Sequence, residues 1–165
     1  MKIAAHLNFI ANLLSENHLT LSVAESLTGG MISQKITSVS GSSRYYKGGI
    51  TSYSIEIKEK ILSVSDEIIQ EKTVVSEEVA SEMCRNCARL FNTDIALSTT
   101  GVAGPDSDEF QNPVGLAFIG LFYKGEVCVG KYFFPNLSRK EIIEIISDKA
   151  LDMLYLKLSG KSTMP

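Results

Sequence analysis

Two glycine-marked turns, each following an apolar run, constrain the fold of this chain more than any other feature. The first is Ala24-Glu25-Ser26-Leu27-Thr28-Gly29-Gly30, which is followed by a segment with helical spacing. The second is Thr99-Thr100-Gly101-Val102-Ala103-Gly104-Pro105. In α/β proteins, a polar joint between a strand and a helix is a common ligand site, because the helix start has unpaired N–H groups and the positive end of its dipole. The sequence therefore predicts an α/β protein with a site near these turns.

The rest of the chain alternates between helical and extended patterns. The helical patterns cover residues 3–17, 28–38, 56–62, 76–91 and 138–158, and the extended patterns cover residues 19–25, 48–54, 94–99, 114–123 and 126–134. Lys124-Gly125, between the last two extended segments, is typical of a hairpin turn. This order predicts a three-layer α/β/α sandwich with a mixed, mostly parallel sheet. We expect one domain over 1–165, with 159–165 as a frayed tail.

Charge and hydropathy exclude several kinds of partner. The net charge is −3 and no run of five or more basic residues occurs, so direct nucleic-acid binding is not expected. The first helical segment has an amphipathic stripe rather than the continuous apolar run of an export signal, and no stretch approaches the roughly 18 apolar residues of a membrane span. We expect a cytoplasmic protein. Cys84 and Cys87 lie in a helical pattern without a second ligand pair, which favours core residues over a zinc or redox site.

Hydroxyl and amino groups are the best candidates for chemistry. His6 and His18 lie in or beside the first helical segment, away from both turns, which disfavours a Ser-His-Asp triad. The sequence has no cluster of metal ligands and no Walker A or G-x-G-x-x-G motif, so we predict no metal and no cofactor.

Each candidate residue has two interpretations that spacing leaves open. Ser26 is either a nucleophile or, like Thr28, a helix cap. Lys58 is either a general base whose pKa is lowered by burial or an ordinary surface residue. Tyr53 is either a catalytic residue or a structural residue in the core or at a rim. Arg139 either binds a phosphate or carboxylate or is an ordinary exposed arginine.

Five motifs, in the same order and with similar separations, resemble those of the CinA C-terminal domain family: Ala24 to Gly30, Gly41-Ser42-Ser43, Gly49 to Ser54 with Lys58, Thr100 to Pro105, and Pro113-Val114-Gly115. The likeness covers nearly the whole chain, which is similar to the stand-alone form of the domain. The resemblance implies nicotinamide-nucleotide amidase activity of the PncC type. Such an enzyme hydrolyses the carboxamide of nicotinamide mononucleotide to nicotinate mononucleotide and ammonia in pyridine-nucleotide recycling. It also implies a homodimer and no cofactor.

The resemblance also implies roles for individual residues. Ser26 matches the proposed nucleophile, and Tyr53 and Lys58 match the proposed activating pair. The residues that match the substrate-binding surround are Thr28, Gly29, Gly30, Gly101, Ala103, Gly104 and Arg139. The implied mechanism is acyl transfer to Ser26, with helix-end N–H groups as the oxyanion hole, followed by hydrolysis through a Lys58/Tyr53 relay.

Several positions depart from the family pattern around the pocket: Leu27, Ile55, Asp106, Ser107, Asp108 and Ile143. Residues 106–108 replace glycines, which adds carboxylates beside a pocket meant for a phosphorylated substrate. Two alternatives to the amidase of the family therefore stay open. One is an amidase for a different carboxamide, and the other is a weak or inactive domain that serves as a binding or interaction module.

Overall fold

A computed structural model describes residues 2–161 of the chain. The fold is a single mixed sheet that is covered by helices. The strands are β1 (Leu21–Glu25), β2 (Tyr46–Thr51), β3 (Ile95–Gly101), β4 (Leu116–Tyr123) and β5 (Glu126–Phe133). The helices are α1 (Lys2–Glu16), α2 (Met31–Thr37), α3 (Ile55–Leu62), α4 (Asp66–Lys72), α5 (Glu77–Phe91) and α6 (Arg139–Leu158). A short 3₁₀ turn, Ser42–Arg44, precedes β2.

The strand order in the sheet is β2-β1-β3-β4-β5. The pairs β2–β1 and β1–β3 are parallel, whereas β3–β4 and β4–β5 are antiparallel, so four of the five strands point in one direction. The predicted mixed, mostly parallel sheet is therefore confirmed. The hairpin between β4 and β5 is confirmed as well. Lys124 and Gly125 have φ values of 51° and 84°, as a two-residue turn of type I′ requires.

Helices cover both faces of the sheet, as predicted for a three-layer sandwich. Leu21 and Val23 of β1 point into a core formed with α1, α2 and α6. Ala24, on the opposite face of the same strand, packs in a second core with α3, α4 and α5. The alternation of side chains along a strand explains how one short apolar segment contributes to both cores.

Two shifted elements and one additional helix differ from the sequence prediction. Helix α2 begins at Met31 rather than near residue 28, because Gly29 and Gly30 have φ values of 59° and 101° that a helix does not allow. The strand expected over 48–54 is β2, which starts and ends earlier. Helix α4, which has seven residues, was not predicted. Of the expected frayed tail, residues 159–161 form a turn, and 162–165 lie outside the described residues.

The cysteines of α5 lie in the core, as expected. Cys84 and Cys87 are fully buried against the sheet. Burial raises the pKa of the Cys84 thiol to about 12 and the pKa of the Cys87 thiol to about 11. Such thiols stay protonated and unreactive at neutral pH. Between residues 2 and 161, no helix is long and apolar enough to span a bilayer.

Candidate active site

A pocket of about 580 Å³ opens where β1, β2 and β3 reach the same edge of the sheet. In parallel α/β sheets, ligands bind at the carboxyl ends of the strands, where loops from neighbouring strands meet. Ser26 follows β1 directly, Tyr53 follows β2, and Gly101 ends β3. All three line the pocket, so the topology brings segments from three parts of the sequence to one place.

Ser26 and Lys58 form a buried pair inside this pocket. The Nζ atom of Lys58 is 2.9 Å from the Oγ atom of Ser26. The same Nζ donates to the backbone carbonyl of Ser52 over 2.7 Å and lies 3.5 Å from that of Tyr53. Lys58 is only 2% exposed and Ser26 only 8%. The alternative in which Lys58 is a surface residue is therefore excluded.

Burial changes the acidity of Lys58. Its pKa falls from 10.5 to about 8, because desolvation disfavours the ammonium form. No carboxylate of the described residues forms an ion pair with this side chain, so nothing offsets the effect of burial. A substantial fraction of the amine is thus neutral at slightly alkaline pH. In that form it can accept the proton of the Ser26 hydroxyl.

Glu25, the last residue of β1, caps helix α2. Its carboxylate accepts hydrogen bonds from the N–H groups of Gly30, Ile32 and Ser33 at 3.0, 3.1 and 2.8 Å, and from the Ser33 hydroxyl at 2.7 Å. The prediction that Ser26 or Thr28 caps this helix is therefore wrong. The expectation that the helix-end N–H groups are free to form an oxyanion hole is wrong for the same reason.

Thr99 fixes the turn that carries Ser26. Its hydroxyl accepts from the Ser26 N–H at 3.4 Å and is paired with the Thr28 hydroxyl at 2.9 Å, and all three residues are buried. Thr28, Gly29 and Gly30 are not among the residues that line the pocket. These three residues lie in the turn between Ser26 and α2, and they do not contribute to the pocket surface.

The glycines of the second turn are required by close packing. A Cβ atom on Gly101 would lie 2.6 Å from the Leu116 carbonyl oxygen, and one on Gly104 would lie 2.7 Å from a methyl group of Val114. Gly104 also has a φ of +82°, which disfavours other residues. Gly101, Ala103 and Gly104 all line the pocket, as the resemblance implied.

Arg139, at the start of α6, lies across the mouth of the pocket. Its Nη1 donates to the Gly104 carbonyl at 2.6 Å and its Nη2 donates to the Tyr53 hydroxyl at 2.7 Å. Tyr53 is 58% exposed, and its hydroxyl has no hydrogen bond to Ser26 or Lys58 in the described residues. The structure therefore brings Tyr53 and Arg139 together at the rim, and it does not contain the expected relay through the tyrosine hydroxyl.

The departures from the family pattern have different places in the structure. Asp108 lines the pocket and accepts from the N–H groups of Phe110 and Asn112 and from the Asn112 side chain, which organises its own loop. Asp106 lines the pocket as an exposed carboxylate. Leu27 and Ile55 also line it, whereas Ser107 and Ile143 do not.

Sequence reasoning missed three residues that hold the site together, namely Glu25, Ser52 and Thr99. Ser52 donates its N–H to the Glu25 carbonyl and accepts from Lys58, which links β1 to the lysine. A polar residue in an otherwise buried strand end is the signal that could have identified Glu25 and Thr99, because a buried polar group needs a partner.

The molecule is an α/β protein with a five-stranded mixed sheet and a candidate active site, in which a buried serine–lysine pair lies at the carboxyl ends of the parallel strands. Residues 4–158 match the sequence model of the CinA C-terminal domain. The chain belongs to that family, which confirms the family resemblance.

Relatives in sequence agree with this assignment. A CinA-like protein of Dictyoglomus turgidum is 45% identical over 151 residues, which are 92% of this chain and 34% of the relative. A putative competence-damage inducible protein of Thermoanaerobacter sp. (strain X514) is 46% identical over 151 residues, 92% of this chain and 36% of the relative. The chain thus spans about a third of the length of the curated relatives it matches.

Solved structures agree with the fold. The competence-damaged protein (CinA) superfamily protein of Enterobacter cloacae has a TM-score of 0.91 and 27% identity, and the match covers 94% of this chain and 92% of that one. The competence/damage inducible protein CihA of Agrobacterium tumefaciens has a TM-score of 0.90 and 28% identity, and the match covers 96% of each chain. These matches support the same sheet and the same arrangement of helices.

Proposed function

We propose that this chain is a serine–lysine amidase that hydrolyses the carboxamide of a nicotinamide nucleotide. The observation that carries the proposal is the 2.9 Å contact between Lys58 Nζ and Ser26 Oγ inside the pocket. Nicotinamide mononucleotide is the substrate implied by the family resemblance, and its products are nicotinate mononucleotide and ammonia. An unactivated amide needs a strong nucleophile and a proton donor for the leaving amine, and this pair supplies both.

In the first half of the reaction, Ser26 attacks the carboxamide carbon while neutral Lys58 takes the hydroxyl proton. The resulting ammonium then gives this proton to the amide nitrogen, the C–N bond breaks and ammonia leaves. The product is an ester between Ser26 and the pyridine carboxyl group. In the second half, Lys58 takes a proton from water, the hydroxide attacks the ester, and Ser26 leaves and regains a proton from Lys58.

The surroundings of Lys58 favour the orientation this reaction needs. A neutral amine has two N–H bonds and one lone pair. The carbonyls of Ser52 and Tyr53, at 2.7 and 3.5 Å, accept the two N–H bonds, so the lone pair is directed at the Ser26 hydroxyl. Because the two acceptors are backbone atoms that directly follow β2, the amine has little freedom to turn away.

The negative charge on the carbonyl oxygen needs backbone donors that Glu25 has not already used. The Leu27 N–H follows the nucleophile directly, and it has no hydrogen bond to the described residues. Leu27 also lines the pocket. We therefore assign it to the oxyanion hole, since the N–H group that follows a nucleophile at a strand–helix turn commonly has this role.

Ammonia release from the purified chain tests the proposal. Millimolar nicotinamide mononucleotide is the substrate, Ser26→Ala and Lys58→Met are the inactive variants, and Ser43→Ala is a control that changes an exposed serine outside the pocket. Release by wild type and by Ser43→Ala, but by neither inactive variant, supports the amidase. Retained binding of the nucleotide without ammonia release, in a folded protein, would instead identify a binding module.

A further inference from the structure

We infer that Thr73, Asp108 and Asn112 form a clamp that joins two walls of the pocket and thereby sets its affinity for the substrate. One wall is the linker between α4 and α5, and the other is the loop between β3 and β4. The inference rests on the proposed amidase function. It assigns the three residues as positioning residues for the aromatic end of the substrate, away from the chemistry at the serine.

The linker supplies an apolar wall of the pocket. Val74 and Val75 line the pocket, and they belong to neither a helix nor a strand. Val75 is 5% exposed and lies in one apolar cluster with Val102, which also lines the pocket. Because ligand pockets bind aromatic rings through apolar walls of this kind, we expect this surface to contact the pyridine ring. The position of the linker therefore affects how closely the ring fits.

The backbone of Thr73, directly before this wall, has an unfavourable conformation. Its φ of 70° and ψ of 162° lie in a region that is open mainly to glycine, and a β-branched side chain makes this conformation more costly. Such a conformation persists only where the surrounding structure holds it. The linker would therefore relax to another path if its contacts were lost.

Side-chain hydrogen bonds provide these contacts. The Thr73 hydroxyl donates to the Val75 carbonyl at 3.3 Å, and the Thr100 hydroxyl donates to the Val74 carbonyl at 2.8 Å. The Thr73 hydroxyl also accepts from the side-chain nitrogen of Asn112 at 3.0 Å. This last bond connects the linker to the loop between β3 and β4, which is the second wall.

Asp108 orients the amide of Asn112 towards Thr73. One carboxylate oxygen of Asp108 accepts from the N–H groups of Phe110 and Asn112 at 3.1 and 2.8 Å. The other oxygen accepts from the side-chain nitrogen of Asn112 at 2.8 Å. An ionised carboxylate only accepts hydrogen bonds, so the nitrogen and not the oxygen of the amide faces Asp108. The two N–H bonds of this nitrogen thus go to one acceptor in the loop and one in the linker.

The clamp acts on binding rather than on the chemical steps. Ser26 and Lys58 are held by strand ends and α3, and their hydrogen bonds to described residues include none to the clamp. If loss of the clamp leaves the walls correctly placed in about a tenth of the molecules, KM rises about tenfold and kcat is retained. The loss of two net hydrogen bonds is sufficient for a shift of this size.

Single and paired substitutions test the inference. Thr73→Val and Asn112→Ala each remove the bond between the two walls without a change of charge, and a double variant combines them. Asn8→Ala is the control, because Asn8 is exposed and does not line this pocket. We would measure kcat and KM for ammonia release from nicotinamide mononucleotide. We would also measure the Kd of this nucleotide for each variant in a Ser26→Ala background, and the stability of each variant in urea.

We expect KM and Kd to rise about tenfold in each single variant with kcat within about threefold of wild type, and no change in the control. Because both substitutions break the same bond, the double variant should exceed the larger single effect by no more than about twofold. Single effects that multiply in the double variant would overturn the inference. An unchanged KM, or a loss confined to kcat, would overturn it as well.

Thr73→Gly separates the clamp from a general effect on stability. Glycine lacks the hydroxyl but adopts the backbone conformation of residue 73 without strain. This variant should therefore resist urea better than Thr73→Val, although both show the same rise in KM. A KM that follows stability across wild type and the two variants would identify Thr73 as a purely structural residue and contradict the clamp.

Failure of the proposed function would give a different result. If folded wild type binds the nucleotide but releases no ammonia, the amidase proposal fails, and the Kd values alone support or overturn the clamp. If folded wild type neither binds nor hydrolyses the nucleotide, the proposed function and this inference are both overturned.

Discussion

Lys58 Nζ and Ser26 Oγ lie 2.9 Å apart although 32 residues separate them in the sequence. The contact exists because β1 and β2 are parallel neighbours, so that the turn after β1 and the helix after β2 begin at the same edge of the sheet. Ser54 caps α3 with its side chain and thereby fixes the first turns of the helix that contains Lys58. The sheet therefore determines the distance between the two side chains, and burial determines the protonation state of Lys58.

Activity is expected to rise with pH through about 8. The reactive form of Lys58 is the neutral amine, and its pKa is lowered from 10.5 to about 8 by burial. The rate constant kcat/KM should increase about tenfold per pH unit below this value and level off above it. A pH profile of ammonia release measures this. A flat profile through the same range would remove Lys58 as the base.

The same pKa predicts how Lys58 affects stability. The folded-state pKa of about 8 is below the ordinary value of 10.5, so the unfolded chain binds more protons between these two values and stability rises with pH across that window. The shift corresponds to about 3 kcal/mol. Lys58→Met should lose this rise. Urea unfolding at about pH 7 and about pH 10 measures the effect, and the unfolding free energy of wild type relative to Lys58→Met should be greater at the higher pH. Lys60→Met, which changes an exposed lysine of the same helix, should behave like wild type.

Ser26→Ala should abolish turnover and leave the fold intact. The hydroxyl bonds only to Lys58 among the described residues, and Lys58 keeps the carbonyls of Ser52 and Tyr53 as acceptors. We expect a loss of at least about 10³-fold in kcat and a change in unfolding free energy below about 1 kcal/mol. Active-site titration with an acylating amide analogue, followed by mass spectrometry, should find the adduct on wild type only. An adduct elsewhere would reassign the nucleophile.

Tyr53→Phe distinguishes a rim residue from a member of the proton relay. Since the hydroxyl contacts Arg139 and not Lys58, the variant should retain kcat within about threefold and raise KM, because it loses a contact of Arg139 but no proton transfer. Steady-state kinetics on the preferred substrate gives both constants. A drop of about a hundredfold in kcat would restore the tyrosine to the relay.

Glu25→Gln should destabilise the protein although the substitution is small. The carboxylate is 1% exposed and accepts four hydrogen bonds, and a glutamine amide would turn a donor towards at least one of these N–H groups. We expect a loss of about 2 kcal/mol in unfolding free energy. Glu16→Gln, at an exposed position, is the matched control and should change stability by less than about 0.5 kcal/mol. Equal stabilities of the two variants in urea would contradict the capping role.

The sequence predicted the layers of the fold well because long segments repeat their apolar residues with a clear period. Helix α5 is an example of such a segment. The hairpin at Lys124-Gly125 was predictable for another reason, since its turn depends on residues adjacent in sequence. The cap of α2 was not predictable in this way. The acceptor, Glu25, precedes the N–H groups that it binds by five to eight residues. It is the last residue of a strand, whereas capping rules consider only the residues at the start of the helix.

The structure brings several of the residues named from the sequence to one pocket, but the sequence did not predict how they contact one another. Ser26 and Lys58 followed from the motifs, and the sheet shows why they meet. The partner of Tyr53 did not follow, because Arg139 lies 86 residues away and reaches the tyrosine only through the packing of α6. Pairings of this kind depend on how elements pack, which composition and spacing do not encode.

The reactive pair and the rim belong to segments of different character. Ser26 and Lys58 are held by buried strand ends and a capped helix, whereas Asp106 and Glu109 stand on an exposed loop between β3 and β4. We therefore expect an exchange of that loop for another sequence to leave Ser26 and Lys58 in contact. For protein engineering, the chain offers a scaffold in which the mouth of the pocket can be redesigned over a few consecutive residues while the buried Ser26–Lys58 pair is retained.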